Sequence, residues 1–445
     1  MSKAAAKIKV QPSFLTNTTS LNGRALAGFA ALVSSIAMGN TAQAACTPVS
    51  TGATGATVAA CAGDTTDVTQ TSSRAIINWS NFDTGGTETV NFIQSGGDIA
   101  LNRITGATNP DGITRFNGAL NADAQVFFIN SKGFIFGSGS DVNVGSLVLS
   151  TADIADADFL NAANHNFNFN VAGAANAEIV LNTGSGGSIT ADEGGYIVAI
   201  APRVLATNQT KLTSRGGSIA FGAGSTFNVN IDPVGDGLIS FEVVNPVDAA
   251  TMANAIEISN GAHLDVSGSD TTPDAGQILI TAEAVNSVYN NLILINRTTG
   301  PATKLNAASG DGKGGKIRIN GTATGTDING DMLRIDNASE ITASSTLSGS
   351  KAGNVVINLD YNTPGDGDAV TGSLFNLANA SKIEAISPIV GGLATNDGYV
   401  EINARRDGVF DSTDTGVIVD ERNYFDYGPG TTPGGIFDDG GNRKS

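Results

Sequence analysis

The second half of the chain repeats itself, and that repeat limits the fold more than any other feature. Residues 256–282 read IEISNGAHLDVSGSDTTPDAGQILITA, and three later stretches align with them: TKLNAASGDGKGGKIRING, LRIDNASEITASSTLSGSKAGNVVINL and FNLANASKIEAISPIVGGLATNDGYVEINA. Each runs apolar-x-apolar, Asn with small residues, apolar-x-Ala/Val, a Gly/Ser loop, then Gly-x-apolar-x-apolar. The matching glycines Gly276, Gly315, Gly353 and Gly398 lie 39, 38 and 45 residues apart. A single short strand cannot bury its apolar side alone, but like strands stacked at the strand spacing pack like side chains into one inner column. The period predicts two solenoid coils of roughly 20 residues per repeat, with Gly and Asn at corners that need positive φ.

Upstream, from Ala75, short β-type runs recur between turn residues: AIINW, ETVNFI, AQVFFI, GFIFG, GSLVLS, GYIVAIA, GSIAFG and GLISFEVV. Amphipathic helical windows are nearly absent, the exception being one or two turns within Thr151–Ala163. A propeller would share a period near 40 but wants four strands per blade and more aromatics than the 6% present. A flattened sandwich does not explain the repeat. The fold class expected is therefore all-β, a solenoid.

Of 445 residues, 56 are Gly and only 15% are charged, while 40% are apolar, too many for a disordered chain. Acidic residues number 42 against 24 basic, and Lys3, Lys7, Lys9 and Arg24 all precede Ala44, where no acid occurs. The part after Ala44 thus carries a formal charge of −22. That sign argues against nucleic acid and anionic lipid surfaces, which need basic residues to neutralise phosphate.

Residues 1–44 read as a secretory leader: Arg24 precedes an apolar run from Ala25 to Met38, and Ala42-Gln43-Ala44 offers small residues for cleavage. The run is short for a stable span, and no later stretch reaches spanning length. Cys46 and Cys61, the only cysteines, follow the leader directly, and an exported chain crosses an oxidising compartment, so they are expected to pair. The loop they close is worth about 3 kcal/mol in the chain-entropy account.

Two Asn-led turns, Asn109-Pro110-Asp111-Gly112 and Asn130-Ser131-Lys132-Gly133, stand close together between apolar runs. With NWSNF and ETVNF between Asn78 and Phe92, LNRITG at Leu101–Gly106, the element ending GFIFG at Gly137, VGSLVLST at Val144–Thr151, and the later GGYIVAIAPRV and GGSIAFGAG, they form an ordered series over roughly residues 70–230. This series resembles the amino-terminal secretion domain of filamentous-haemagglutinin-like exoproteins of the two-partner pathway. The resemblance implies a right-handed parallel β-helix with an amino-terminal cap, recognised by a separate outer-membrane transporter acting in trans. It also implies that Asn102, Arg103, Thr105, Gly106, Asn109, Pro110, Asn130 and Gly133 lie in the segment that directs export. The family usually has Asn-Pro-Asn-Gly where this chain has Asn-Ser-Lys-Gly, a change a type I turn tolerates. The same turns also read as plain chain reversals, with Asn bonding its own backbone and Gly taking left-handed φ.

Chemistry is hard to assemble. The acidic stretches Asp232–Gly237, Gly310–Gly315, Pro364–Val370 and Asp411–Glu421 sit among turn residues, and none has the ligand spacing of a Ca²⁺ loop. His165 and His263 are far apart and read as surface turn residues, so neither a zinc site nor a Ser-His-Asp triad forms. Trp79 reads as part of the cap or first coil. No catalytic residue, metal or cofactor is called for. The division expected is a leader (1–44), a secretion domain (45–240), continued β-helix repeats (241–406) and a loose tail (407–445) without membrane-barrel strands. The function expected is a secreted or surface-associated adhesin, reaching the cell surface through the periplasm, with a host-cell or carbohydrate surface as ligand. The alternatives are a polysaccharide-active enzyme and a self-associating matrix protein.

Overall fold

The computed structural model describes residues 46–231, 238–248, 251–286, 288–325, 327–362, 373–387 and 398–406, with short strands at 417–419, 424–426, 436–437 and 443–444. The leader, the acidic stretches at 232–237 and 364–370, and most of the stretch at 411–421 lie outside the described residues. From Cys46 onward the chain forms the expected all-β parallel β-helix, capped at its amino end.

Three parallel ladders build it. The first begins with Thr65–Gln70 and Thr89–Ile93 and runs through Ser188–Ala191, Lys211–Thr213 and His263–Asp265 to Lys382–Glu384. The second begins with Arg74–Asn81 and Ile99–Ile104 and ends with Gln277–Val285, Lys316–Thr324, Asn354–Asn362 and Tyr399–Arg406. The long strands Ala119–Ile129 and Asp141–Ser150 bend to serve both. The third ladder runs from Thr114–Phe116 through Gly133–Phe136 and Glu178–Leu181 to Phe375–Leu377. Val417–Val419 and Tyr424–Asp426 add one more strand to the third and first ladders.

Alternation within each strand sends every second side chain inward, and parallel register stacks those side chains directly. Along the first ladder Val90, Leu120, Val142, Ile189, Leu212, Leu264, Leu305, Ile341 and Ile383 pair one above another, none more than 1% exposed. Ile104 and Phe128 share this interior with Ile278 and Ile317. Leu101 and Ile135 do not. Leu101 faces outward beneath a second apolar cluster, and Ile135 is half-buried on the outer row of the third ladder.

That second cluster exists because the second ladder is apolar on both faces in its first half. Leu101, Phe127, Val148, Val198 and Ala220 point outward there and are covered by a three-stranded antiparallel sheet, Asn166–Phe169, Thr226–Ile231 and Ile239–Asn245, and by the short helix Asp156–Leu160. The helix falls inside the window read from sequence, and its Phe159 packs on Phe127 and Phe167.

The repeat period is corrected. Gln277 pairs directly with Lys316, Lys316 with Asn354 and Asn354 with Tyr399, so each 38- to 45-residue repeat is one coil and not two. The extra length goes into nine-residue strands and longer loops; the earlier coil from Tyr196 to Ser218 takes 22 residues. The reason for the repeated glycines changes too. Gly276, Gly315, Gly353 and Gly398 are absent from the positive-φ residues, which instead include Asn208, Asn260, Asn337 and Asn379. A Cβ on Gly276 would lie 1.8 Å from the Gly217 carbonyl oxygen, on Gly315 1.9 Å from that of Gly276, on Gly353 1.7 Å from that of Gly315, and on Gly398 1.6 Å from that of Gly353. These glycines stack as a column at one corner, and only hydrogen fits between coils.

His263 is not at a corner. It opens the strand His263–Asp265, half-buried, in register between Lys211 and Lys304, and its Nε2 has no hydrogen-bond partner. Burial first, then the two lysines, lower its pKa below the usual 6.5, against the opposing pull of Asp265 and Glu340. The unfolded chain therefore binds this proton at higher pH than the folded one. Stability is full above the unfolded pKa and falls as pH drops through it toward the lowered folded value. Denaturant titrations should show His263→Gln flattening that decline; an unchanged pH profile would disprove the assignment. In the glycine column, Gly315→Ala should cost about 3 kcal/mol or more. Gly310→Ala, whose nearest foreign atom is 3.9 Å away, should change stability little.

A pinned turn pair in the first coils as candidate functional site

The segment singled out from sequence spans the second and third coils, and its two turns are joined by one side chain. Asn130 is 2% exposed. Its Nδ2 donates to the Gly112 carbonyl at 2.9 Å and to Thr114 Oγ1 at 2.8 Å, tying the second turn to the end of the first. Its Oδ1 accepts the Lys132 amide at 2.8 Å, and its own carbonyl accepts the Gly133 amide at 3.0 Å, closing the turn. Gly112 closes the other turn onto the Asn109 carbonyl at 3.1 Å. Gly133 takes φ +107° with Glu178 backbone packed against it, so no larger residue fits. Pro110, Ser131 and Lys132 stay exposed.

Asn102 occupies an inward position of the second ladder, between Ile77 and Phe128, where every later coil places an apolar residue. A buried amide there needs partners. Its Oδ1 accepts Trp79 Nε1 at 3.0 Å, and its Nδ2 donates to the Ala100 and Phe127 carbonyls at 3.3 Å each. Trp79 is fully buried in the first coil and meets Phe82 edge to face. Thr105 donates twice to the Trp79 carbonyl, from its amide at 2.9 Å and its hydroxyl at 3.1 Å. Gly106 lets the chain pass the Ser80 carbonyl, which a Cβ would approach to 2.4 Å.

Arg103 points outward and clamps the covering helix. It bonds both Asp153 carboxylate oxygens at 2.8 and 3.0 Å and also binds Asp156 and the Ile154 carbonyl. Burial opposes its charge, yet the bonds to Asp153 and Asp156 outweigh that and hold its pKa above the ordinary value. Arg74 acts alongside, donating to the carbonyls of Phe159 and Asn164 at 2.9 Å each and lying over the rings of Phe159 and Phe167.

Two acids escaped the sequence reading. Asp83 is buried and accepts the Thr108 amide at 2.7 Å and the Arg115 amide at 2.8 Å, gripping both ends of the loop that carries the first turn. Glu88 holds the amide and hydroxyl of Thr47 together with the Gly85 amide, fixing the start of the cap. The only signal was their place beside turn residues in NFDTGGTE. At the rim, the Arg115 hydrogen bonds draw the exposed Asp111 carboxyl down to about 2. Antiparallel pairing of Val49–Thr54 with Arg74–Asn81, and of Ala56–Val58 with Thr65–Gln70, covers the open end of the helix. A disulfide joins Cys46 to Cys61 beneath it, Cα to Cα 5.6 Å.

The family model for the TPS secretion domain matches residues 44–357. This chain belongs to the TPS secretion domain family. Its TPS domain starts at the cap and passes residue 240 without a break in the apolar interior, which continues to Ala404. Two curated relatives share stretches with it. A heme/hemopexin-binding protein of Haemophilus influenzae is 32% identical over 92 residues, 20% of this chain and 10% of the relative. The protein of the same name from strain Rd is 30% identical over 93 residues, 21% of this chain and 10% of the relative. This chain's match thus spans about a tenth of those proteins. Among solved structures, the HMW1 secretion domain of Haemophilus influenzae is similar at 20% identity with a TM-score of 0.47, covering 85% of this chain and 97% of that one.

The geometry separates two kinds of residue in the TPS domain. Asn130→Ala removes two bonds to Gly112 and Thr114 and one to Lys132, leaving buried groups unpaired, and should lower stability by about 1–3 kcal/mol. Lys132→Ala, on the exposed face of the same turn, should shift it by less than about 0.5 kcal/mol. Equal effects in thermal or urea unfolding would refute the pinning role.

Proposed function

We propose that this protein is a secreted, surface-associated adhesin without enzymatic activity, passed across the outer membrane by a separate transporter that engages its amino-terminal coils. The match of the TPS model from residue 44 onward supports the export part of this reading. The fold supplies a physical route. Each coil leaves a hydrogen-bonding edge on which the next can add, so a chain emerging amino end first can build its coils in order from the capped end. Each new coil buries apolar side chains at roughly 25 cal/mol per Å² and leaves an edge for the next. Folding outside the membrane then draws the chain outward without nucleotide.

The proposed recognition segment, Asn102 to Gly133, divides by access. Asn102 and Asn130 are buried once the coils close, so a transporter meets their side chains only in the extended chain before folding. Thr105, Pro110 and Lys132 remain exposed and are open to contact in either state. Haem and hemopexin appear in the names of the two relatives, but the shared stretch is a tenth of those proteins, so that binding is not assigned here.

In cells carrying the cognate transporter, deletion of Asn102–Gly137 should leave the protein in the periplasm. Fractionation and immunoblotting read the outcome, and undiminished release to the medium would contradict the proposal.

A further inference from the structure

The covering sheet ends where the outer face of the second ladder changes character, and the step between them is a cleft. Ile239–Asn245 is an edge strand of that sheet. Beside it two cavities of about 350 and 430 Å³ share Phe241, Thr281 and Asn320 and so form one groove across successive coils. Upstream, the outward row of the ladder is apolar and covered; here Arg318 and Glu401 stand in line with Leu279 and Val356, and the face is open.

The floor of the groove is a row of polar side chains in strict register: Thr281, Asn320, Asn358 and Asn403. Asn320 Nδ2 donates to Thr281 Oγ1 at 3.3 Å, Asn358 Nδ2 to Asn320 Oδ1 at 3.0 Å, and Asn403 Nδ2 to Asn358 Oδ1 at 3.0 Å. A carboxamide has two donor hydrogens and two acceptor lone pairs. The chain of bonds uses one of each on Asn320 and Asn358, leaving one N–H and one lone pair on both. That is the complement a sugar hydroxyl requires, repeated at the coil spacing of about 4.8 Å, which is close to the length of one pyranose unit in an extended chain. Tyr399, 46% exposed, lines the groove in the row of Lys316 and Asn354, four residues along its strand from Asn403 and off the amide row. Lys316 and Arg318 are exposed beside it, and Asn354 Oδ1 and Asp360 Oδ1 on the lining are buried acceptors without a partner.

We infer that this groove binds a linear carbohydrate laid along the helix axis, its hydroxyls on the Asn320–Asn358 amide row and on Arg318 in the neighbouring outward row. The inference deepens the adhesin reading and rests on it only for biological purpose; the chemistry stands on the groove. Glu283, in the same groove, is held above the ordinary carboxylate range by burial and then by Glu242, as a partly dry cleft requires. Glu242, Glu283 and Asp360 bring three acids into this cavity, so binding must be distinguished from cleavage.

The test uses the purified, folded full chain and calorimetric titration with cello-, chito- and hyaluronan oligosaccharides from disaccharide to hexasaccharide. At least one series should bind with affinity that climbs with length and levels off once the row of coils is filled. Arg318→Ala, at an exposed position beside the amide row, should weaken that binding by about tenfold with unchanged melting, whereas Tyr399→Ala, off the row, should leave it unchanged. Asn358→Ala should weaken it as well and is checked for folding by circular dichroism. The sugars should be recovered intact. Absence of binding in all three series, or equal binding by Arg318→Ala and the parent, overturns the inference; release of new reducing ends overturns the binding-only role. Because no cells or transporter enter the assay, its failure leaves the export proposal untouched.

Discussion

Stacking along one axis is the interaction on which everything else rests. Parallel ladders hydrogen-bond each coil to the next, and register sets like beside like: the Val90 to Ile383 column inside, and the glycines from Gly217 to Gly398 at a corner. The glycine column fixes how closely coils approach, because each carbonyl sits where the next residue's Cβ would be. The Gly276 and Gly315 carbonyls at that corner also accept the amides of Lys316 and Asn354 at 3.0 Å each. Contact distance and hydrogen-bond length are thus set by the same atoms. Coils cannot slip by one residue without turning every inward side chain out.

A solenoid has two ends and needs its first coil closed. The amino end is closed by antiparallel strands, a disulfide and a set of buried polar contacts that later coils do not repeat: Asn102 with Trp79, Asn130 with Thr114, Asp83 with the loop before Thr114. Polar groups are costly to bury and specific once paired, so they define one arrangement of the first coils where apolar packing alone would tolerate several. Arg74 and Arg103 then hold the covering helix and sheet in place. The same cover creates the boundary at Ile239–Asn245 where the outer face opens.

Much of this was legible beforehand, because it follows from local chemistry. The alternation of runs such as GSIAFG, the Asn-Gly turns and the lone cysteine pair each state their own geometry. Other features were invisible for identifiable reasons. A period of 39 residues does not say how many coils it contains, since strand length and loop length trade against one another. Leu101 looks like an interior residue, but a strand apolar on both faces cannot reveal which face is capped by a distant hairpin. The glycines matched a corner pattern for the wrong reason: positive φ belongs to Asn260, Asn337 and Asn379, while the glycines yield room to the neighbouring coil. His263 follows Asn-Gly and so reads as a turn residue, yet it opens the strand just beyond.

By itself the sequence determined that this chain would be an all-β solenoid, since periodic apolar pairs, turn residues and their order along the chain are local properties; the sealed start was implied by the family resemblance alone. Only the tertiary structure decided which side chains meet: that Asn130 joins two turns eighteen positions apart, that Arg103 reaches Asp153, and that Thr281, Asn320, Asn358 and Asn403 line one groove. Those contacts are made between coils, where register and the path of every intervening loop determine the neighbour, and no short stretch of residues carries that information.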